Sequence, residues 1–262
     1  MLGPIRDLMG SDKYIIAAVH TLPLPGSPYY DREGGMKKII ARAKSDAKIL
    51  ADNGVQSFLF TNEADFPYVF RMPQEGVAAF SAVVSEVMAE NTIPYGVNVL
   101  VDVYAAFCIA HATGASFIRG LFSGVYITDN GIIENQGAKV FRERANLGTN
   151  LPYFFHNLAT PIGTPMIQRD AVEEAKSISL DIPVDGYTLP AKDIEMFRKV
   201  KQTAPDMPLV VGTGTNHQNL RQLLEVCDGT IVATCLRTEG KLLNPVDPQR
   251  VQEFMKIYRS CL

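Results

Sequence analysis

Leu209-Val210-Val211-Gly212-Thr213-Gly214-Thr215-Asn216 is an apolar run, a Gly-x-Gly turn and a polar residue able to cap a following helix. One helix later, Gly229-Thr230-Ile231-Val232-Ala233-Thr234 repeats the design. A short apolar run bounded by turn residues reads as a buried strand. Glycine lets the backbone approach an anion, and the N–H groups of a turn and helix start supply donors and partial positive charge. Two such strand-turn-helix units in tandem predict the phosphate-gripping side of a (β/α)8 barrel. Gly212, Thr213, Gly214, Thr215 and Asn216 would form the loop after strand seven, and Ala233 and Thr234 the loop after strand eight.

Upstream, six more apolar runs fall at Tyr14–His20, Ser57–Thr61, Tyr95–Leu100, Phe117–Leu121, Leu151–Asn157 and Val184–Leu189. Helical periodicity lies between and after them, at Gly35–Asn53, Glu75–Glu90, Asp102–Thr113, Ala138–Leu147, Ile167–Ser179, Lys192–Thr203, Gln218–Cys227 and Pro248–Tyr258. The strands are near-continuous apolar runs, as a parallel sheet covered on both faces requires. A chain of 262 residues suits one TIM barrel of roughly 250. The expectation is a single domain spanning 1–262, with a short N-terminal extension at 1–13. Segment 123–137 carries glycines and little periodicity. It reads as a lid-like loop over the substrate, with room for a short hairpin.

A net charge of −3 without a basic run argues against a nucleic-acid surface, which needs clustered Lys and Arg. The four cysteines form no C-x-x-C pair and no zinc spacing, which predicts free thiols. No run approaches the ~18 apolar residues of a membrane span, and the start does not read as a signal peptide. The cytoplasm is the expected compartment. Exposed helix faces leave a homo-oligomer open.

In such barrels the active face is the C-terminal end of the strands. Spacing puts His20, Asn62, Glu63, Asn98, Arg119, His156, Asn157, Tyr187 and Thr188 there. Glu63, with His20 or His156, is the candidate for proton transfer. Arg119 would fix an anionic or carbonyl group with its planar fork, or else pair with Glu63. Asn62, Asn98, Tyr126 and Asp129 are candidate substrate contacts, the last two from the lid. Asp102 reads as a helix cap. No cofactor is firmly implied. A divalent metal, if used, would take His20, Glu63 and His156, although no zinc-enzyme motif is present. Lys192 is the only lysine near a strand end, so an imine mechanism would fall to it.

The motifs Val19-His20-Thr21-Leu22-Pro23-Leu24-Pro25-Gly26, Thr61-Asn62-Glu63, Gly96-Val97-Asn98-Val99-Leu100, Ala112-Thr113-Gly114-Ala115-Ser116-Phe117-Ile118-Arg119, Asp129-Asn130-Gly131-Ile132-Ile133-Glu134 and Asn244-Pro245-Val246-Asp247-Pro248 resemble the BtpA/SgcQ family, and its SgcQ-like branch more closely. The resemblance spans nearly the whole chain and implies the barrel. Its founding member is associated with photosystem I accumulation, and the SgcQ-like branch with carbohydrate-uptake neighbourhoods. The resemblance also implies a Ser-Gly-rich segment after strand six, which is shortened here to Pro190-Ala191-Lys192. Residues and resemblance together lead to an enzyme using acid/base chemistry (isomerase, epimerase or lyase type) on a small phosphorylated, sugar-phosphate-like metabolite. The alternatives are a non-catalytic assembly or stability factor of the BtpA type and a nucleoside- or nucleotide-handling hydrolase.

Overall fold

The computed structural model describes residues 2–148, 152–160 and 162–262. Eight parallel strands close into a barrel: β1 (Tyr14–His20), β2 (Ser57–Thr61), β3 (Tyr95–Asn98), β4 (Phe117–Gly120), β7 (Tyr153–Asn157), β9 (Gly186–Pro190), β10 (Leu209–Thr213) and β11 (Gly229–Val232). Neighbours follow chain order, and β1 pairs with β11 to complete the ring. The helices α2 (Gly35–Asp52), α3 (Gln74–Met88), α4 (Val103–Thr113), α5 (Gly137–Leu147), α6 (Ala171–Asp181), α7 (Ile194–Thr203), α8 (Leu220–Leu224) and α9 (Pro248–Arg259) follow their strands in turn. The (β/α)8 expectation is met.

Several local expectations change. The 1–13 extension contains a helix, α1 (Leu2–Met9), whose Ile5 and Met9 are buried against Tyr14, Ile16, Phe117 and Phe155. It closes the N-terminal end of the barrel with apolar surface. Segment 123–137 holds an antiparallel hairpin, β5 (Val125–Thr128) with β6 (Gly131–Glu134), and β5 also pairs with β8 (Thr164–Pro165). Strand six begins at Gly186 rather than Val184. Leu151, the expected start of strand five, and Pro161 of the following loop lie outside the described residues. Helix α8 has only five residues, because Asn216 and Asn219 use their side chains on the backbone first. Asn216 Oδ1 accepts from the N–H groups of Gln218 (2.9 Å) and Asn219 (3.2 Å), and Asn219 Oδ1 accepts from that of Asn216 (2.8 Å). After β11 come two 3-10 turns, Thr234–Leu236 and Thr238–Gly240.

The barrel interior fills by pairing aromatic rings with glycines on the neighbouring strand. Tyr14 faces Gly229, Phe117 faces Gly96, and Phe155 faces Gly186. A Cβ at Gly229 would lie 2.3 Å from the Tyr14 ring and 2.8 Å from the Tyr14 carbonyl oxygen. Overpacking of a close-packed interior costs about 1–3 kcal/mol. Gly229→Ala is therefore expected to lower the unfolding free energy by that amount, seen as a lower urea midpoint with the m-value unchanged.

Asp102 caps α4 as expected, and does more. Its Oδ1 accepts from the N–H groups of Tyr104 (3.1 Å) and Ala105 (3.0 Å) and from the Gln136 amide (3.0 Å), while Oδ2 accepts from the Met72 N–H (2.8 Å). One carboxylate thus ties the loop after β2 and the base of the hairpin to α4. Among the described residues, no helix is long and apolar enough to cross a membrane.

Candidate active site

The strands deliver their C-terminal ends to one mouth, where a cavity of about 200 Å³ opens. His20, Thr61, Glu63, Asn98, Arg119 and Asn157 line one part of it, and Gly212, Thr213, Ala233 and Thr234 another. These side chains meet because strand residues alternate between interior and exterior. Leu59 and Thr61 of β2 and Phe155 and Asn157 of β7 point inward, whereas Phe60 and His156 point outward to the helices.

Arg119 lies on the floor. Its Nε donates to Asn157 Oδ1 (2.9 Å), which also accepts from Thr188 Oγ1 (2.6 Å). The guanidinium reaches across the barrel to Gly212, where a Cβ would come within 3.0 Å of a terminal nitrogen. This sharpens the role of Gly212: its missing side chain makes room for Arg119. Burial pulls the Arg119 pKa down to about 10, against an upward pull from Glu63.

Glu63 follows β2 and is half-buried. Among the described residues its carboxylate accepts no hydrogen bond and forms no contact ion pair, so the expected Glu63–Arg119 bridge is not made. Burial raises its pKa, and the charges of Arg119 and Arg237 pull it back down. The neighbouring Tyr68 hydroxyl donates to the Glu63 carbonyl (2.8 Å) and holds the backbone in place.

His20 contacts the carbonyl oxygen of Leu242 through Nδ1 (3.3 Å). A carbonyl only accepts, so Nδ1 carries the proton and Nε2 offers a lone pair. Burial, then the nearby Arg237 cation, lowers the His20 pKa from 6.5 to about 3. His20 is thus a neutral acceptor near pH 7 and a poor proton shuttle, which counts against its expected role as general base. Between those two pKa values the unfolded chain binds a proton that the native state does not. Stability therefore falls as pH drops through this window, by up to about 1.4 kcal/mol per unit from this residue. His20→Gln is expected to lose less stability between pH 7 and pH 5 than the wild type, measured by urea denaturation at each pH.

Several sequence-predicted residues are not at the cavity. His156 is fully buried behind β7. Its Nδ1 accepts from the Phe122 N–H (3.1 Å), and its Nε2 faces Glu174 of α6 at 3.6 Å. The conditional metal set His20, Glu63 and His156 does not converge, and no cluster of three metal-binding side chains forms among the described residues. Asn62 Oδ1 accepts from the Leu100 N–H (2.9 Å), a loop brace. Tyr126 packs with Leu121 and Ile133 in the hairpin's own core, and Asp129 is exposed at its tip. Tyr187 faces α6. Lys192 is exposed and does not line the cavity. In the opening stretch, Gly212 and Thr213 reach the cavity, whereas Gly214, Thr215 and Asn216 lie beyond its lining. The Thr215 hydroxyl hydrogen-bonds that of Thr230.

Sequence reasoning missed the charged cluster behind His20. Arg237 is fully buried and donates to Asp46 Oδ2 (3.1 Å), the Asn244 carbonyl (2.8 Å) and the Ala18 carbonyl (3.1 Å). Asp46, also fully buried, accepts from Arg42 Nε (3.1 Å) and the Val246 N–H (3.0 Å). A signal existed for Asp46: it sits on the buried stripe of α2 with Ile39, Ala43, Ala47 and Leu50, where a lone carboxylate needs partners. Arg237 lies in irregular chain with no periodicity to mark it. Val101 was also missed. It lines the cavity at φ +63, a conformation costly for a β-branched residue.

A closed (β/α)8 barrel with a polar cavity at the strand C-termini places the molecule among the TIM-barrel proteins. Within that class the chain belongs to the BtpA family, whose family model matches residues 11–260. It is 32% identical to the sgc region protein SgcQ of Escherichia coli over 96% of each chain. It is 32% identical to the photosystem I biogenesis protein BtpA of Synechocystis over 92% of this chain and 86% of that one. Solved aldolases and isomerases share the fold. One, the 2-keto 3-deoxygluconate aldolase of Picrophilus torridus, superposes with a TM-score of 0.58 at 13% identity over 93% of this chain and 83% of that one.

Proposed function

We propose that the mouth cavity is the active site of an enzyme that moves a proton on a small phosphorylated, sugar-phosphate-like metabolite, in an isomerase, epimerase or lyase type of reaction. The observation that carries this reading is the unpaired Glu63 carboxyl, raised in pKa by burial and facing the same cavity as the open Arg119 guanidinium. A carboxylic acid tuned toward neutrality can exchange a proton with a substrate carbon or hydroxyl. Arg119 stabilises the negative charge that develops, and His20 Nε2 accepts from a substrate hydroxyl. Asn98, held to Thr61 by its amide (3.2 Å), is a further polar contact. The rim at Gly212, Thr213, Ala233 and Thr234 receives the phosphate. In its favour, the backbone N–H group of Thr234 makes no hydrogen bond among the described residues.

The β5–β6 hairpin is the lid in this reading, because Leu121, Val101 and Ile162 belong both to its apolar cluster and to the cavity wall. The cavity is small beside the roughly 300–1,000 Å³ of sites for drug-sized ligands, which favours a metabolite of a few carbons over a nucleotide. An assembly role of the kind named for the Synechocystis relative needs no open polar cavity. A thermal-shift panel of sugar phosphates, with and without divalent metal, tests the proposal. A true ligand is expected to raise Tm by mass action. If no phosphorylated sugar does so, the reading is wrong.

A further inference from the structure

Half-buried Arg119 lines this cavity and fully buried Arg237 lies behind His20, and the two are built differently. Arg237 meets a carboxylate and two carbonyls. Arg119 meets one side-chain amide oxygen through Nε, and its two terminal nitrogens make no hydrogen bond among the described residues. Among the described residues it is the only Lys or Arg lining the cavity, and the walls beside it include Ala18, Leu59 and Ile231. The arginine is held in place: Asn157 is fixed by Thr188, and Gly212 leaves the space that the guanidinium fills. A partly desolvated cation without a contacting anion is an incomplete arrangement that an anionic ligand group entering the cavity would complete.

We infer that the cavity floor is a carboxylate subsite, in which the terminal nitrogens of Arg119 bind the carboxylate of a small hydroxy or keto acid. The inference rests on the reading of the mouth as a ligand site and narrows its substrate to a sugar acid. The charge balance favours a carboxylate over a phosphate at this depth. One guanidinium matches one negative charge, and its parallel N–H pair fits a planar carboxylate in bidentate fashion. A phosphate dianion would bring a second charge and a third oxygen to apolar walls, where desolvation without a partner is costly. The phosphate of the proposed substrate stays at the rim.

The test uses the full chain and thermal shift at constant ionic strength, with D-glycerate as probe and inorganic phosphate and glycerol for comparison. Glycerate is expected to raise the wild-type Tm in a saturable way, with glycerol inert. The shift should vanish in Arg119→Met. In Arg119→Lys, which keeps the charge but loses the fork, glycerate affinity should fall at least about tenfold. Gly212→Ala crowds the guanidinium and should weaken glycerate binding without removing the charge. Arg119→Met by itself is expected to raise the ligand-free Tm, by roughly 2–4 °C, whereas removal of a merely structural arginine would lower it.

The inference is overturned if glycerate gives no shift, if its shift survives Arg119→Met, or if phosphate protects through Arg119 as well as glycerate does. Protection by carboxylate-free sugar phosphates without protection by glycerate would overturn this subsite and leave the proton-transfer reading standing. Glycerate protection with no response to any sugar phosphate would do the reverse.

Discussion

Asp46→Ala is expected to destabilise the protein by about 3–5 kcal/mol, the usual penalty for removing one partner of a buried ion pair. The Asp46 carboxylate holds Arg237 through one oxygen, the Val246 N–H through the other, and Arg42 through both. Its loss strands a fully buried guanidinium beneath His20 and leaves a buried N–H without an acceptor. Arg237 also donates to the Ala18 carbonyl of β1, so the cluster fastens the segment after β11 to the first strand, at the seam where the barrel closes. The double variant Asp46→Leu/Arg237→Met removes both charges and should recover part of the loss. Equilibrium urea denaturation of the two variants checks this. A cost below about 1 kcal/mol for Asp46→Ala would place it with exposed pairs, contrary to its burial.

Glu63→Gln is expected to lower kcat by about 10²–10⁴-fold, the range supplied by a positioned acid or base, on whichever ligand stabilises the wild type. Gln keeps the shape of the side chain but cannot exchange a proton, so KM should change far less than kcat. The pH profile carries the second signature. Burial raises the Glu63 pKa, so an acid limb due to Glu63 should lie above the ordinary glutamate value and vanish in the variant. His20, held near 3, supplies no limb near neutrality. Steady-state kinetics across pH 4 to 9 distinguishes the two residues. An unchanged acid limb in Glu63→Gln would assign the proton transfer to another group.

The sequence carried the barrel because its signals are local and repeated. Each apolar run, with its turn and helical stripe, is decided by nearby residues. The placement of Glu63, Asn98 and Arg119 at one mouth follows from that repetition, since parallel strands all end on the same side. His156 escaped the same logic by one residue of strand register. On β7 the side chain after Phe155 points out, so it faces Glu174 rather than the cavity. The Gly212–Asn216 loop was legible as a turn, but its helix was overestimated, because Asn216 and Asn219 spend their side chains on the backbone before α8 begins.

The chain by itself therefore determined the repeating βα order, the end of the barrel that carries the cavity and the residue types delivered to it, since these depend on periodicity and local turn chemistry. The tertiary structure alone decided the charge state and reach of each group. Burial beside Arg237 keeps His20 neutral, an empty position at Gly212 admits Arg119, and α2 brings Asp46 to Arg237 across 191 residues of sequence. The physical reason is that desolvation and Coulomb coupling act through space, whereas sequence periodicity records only neighbours along the chain.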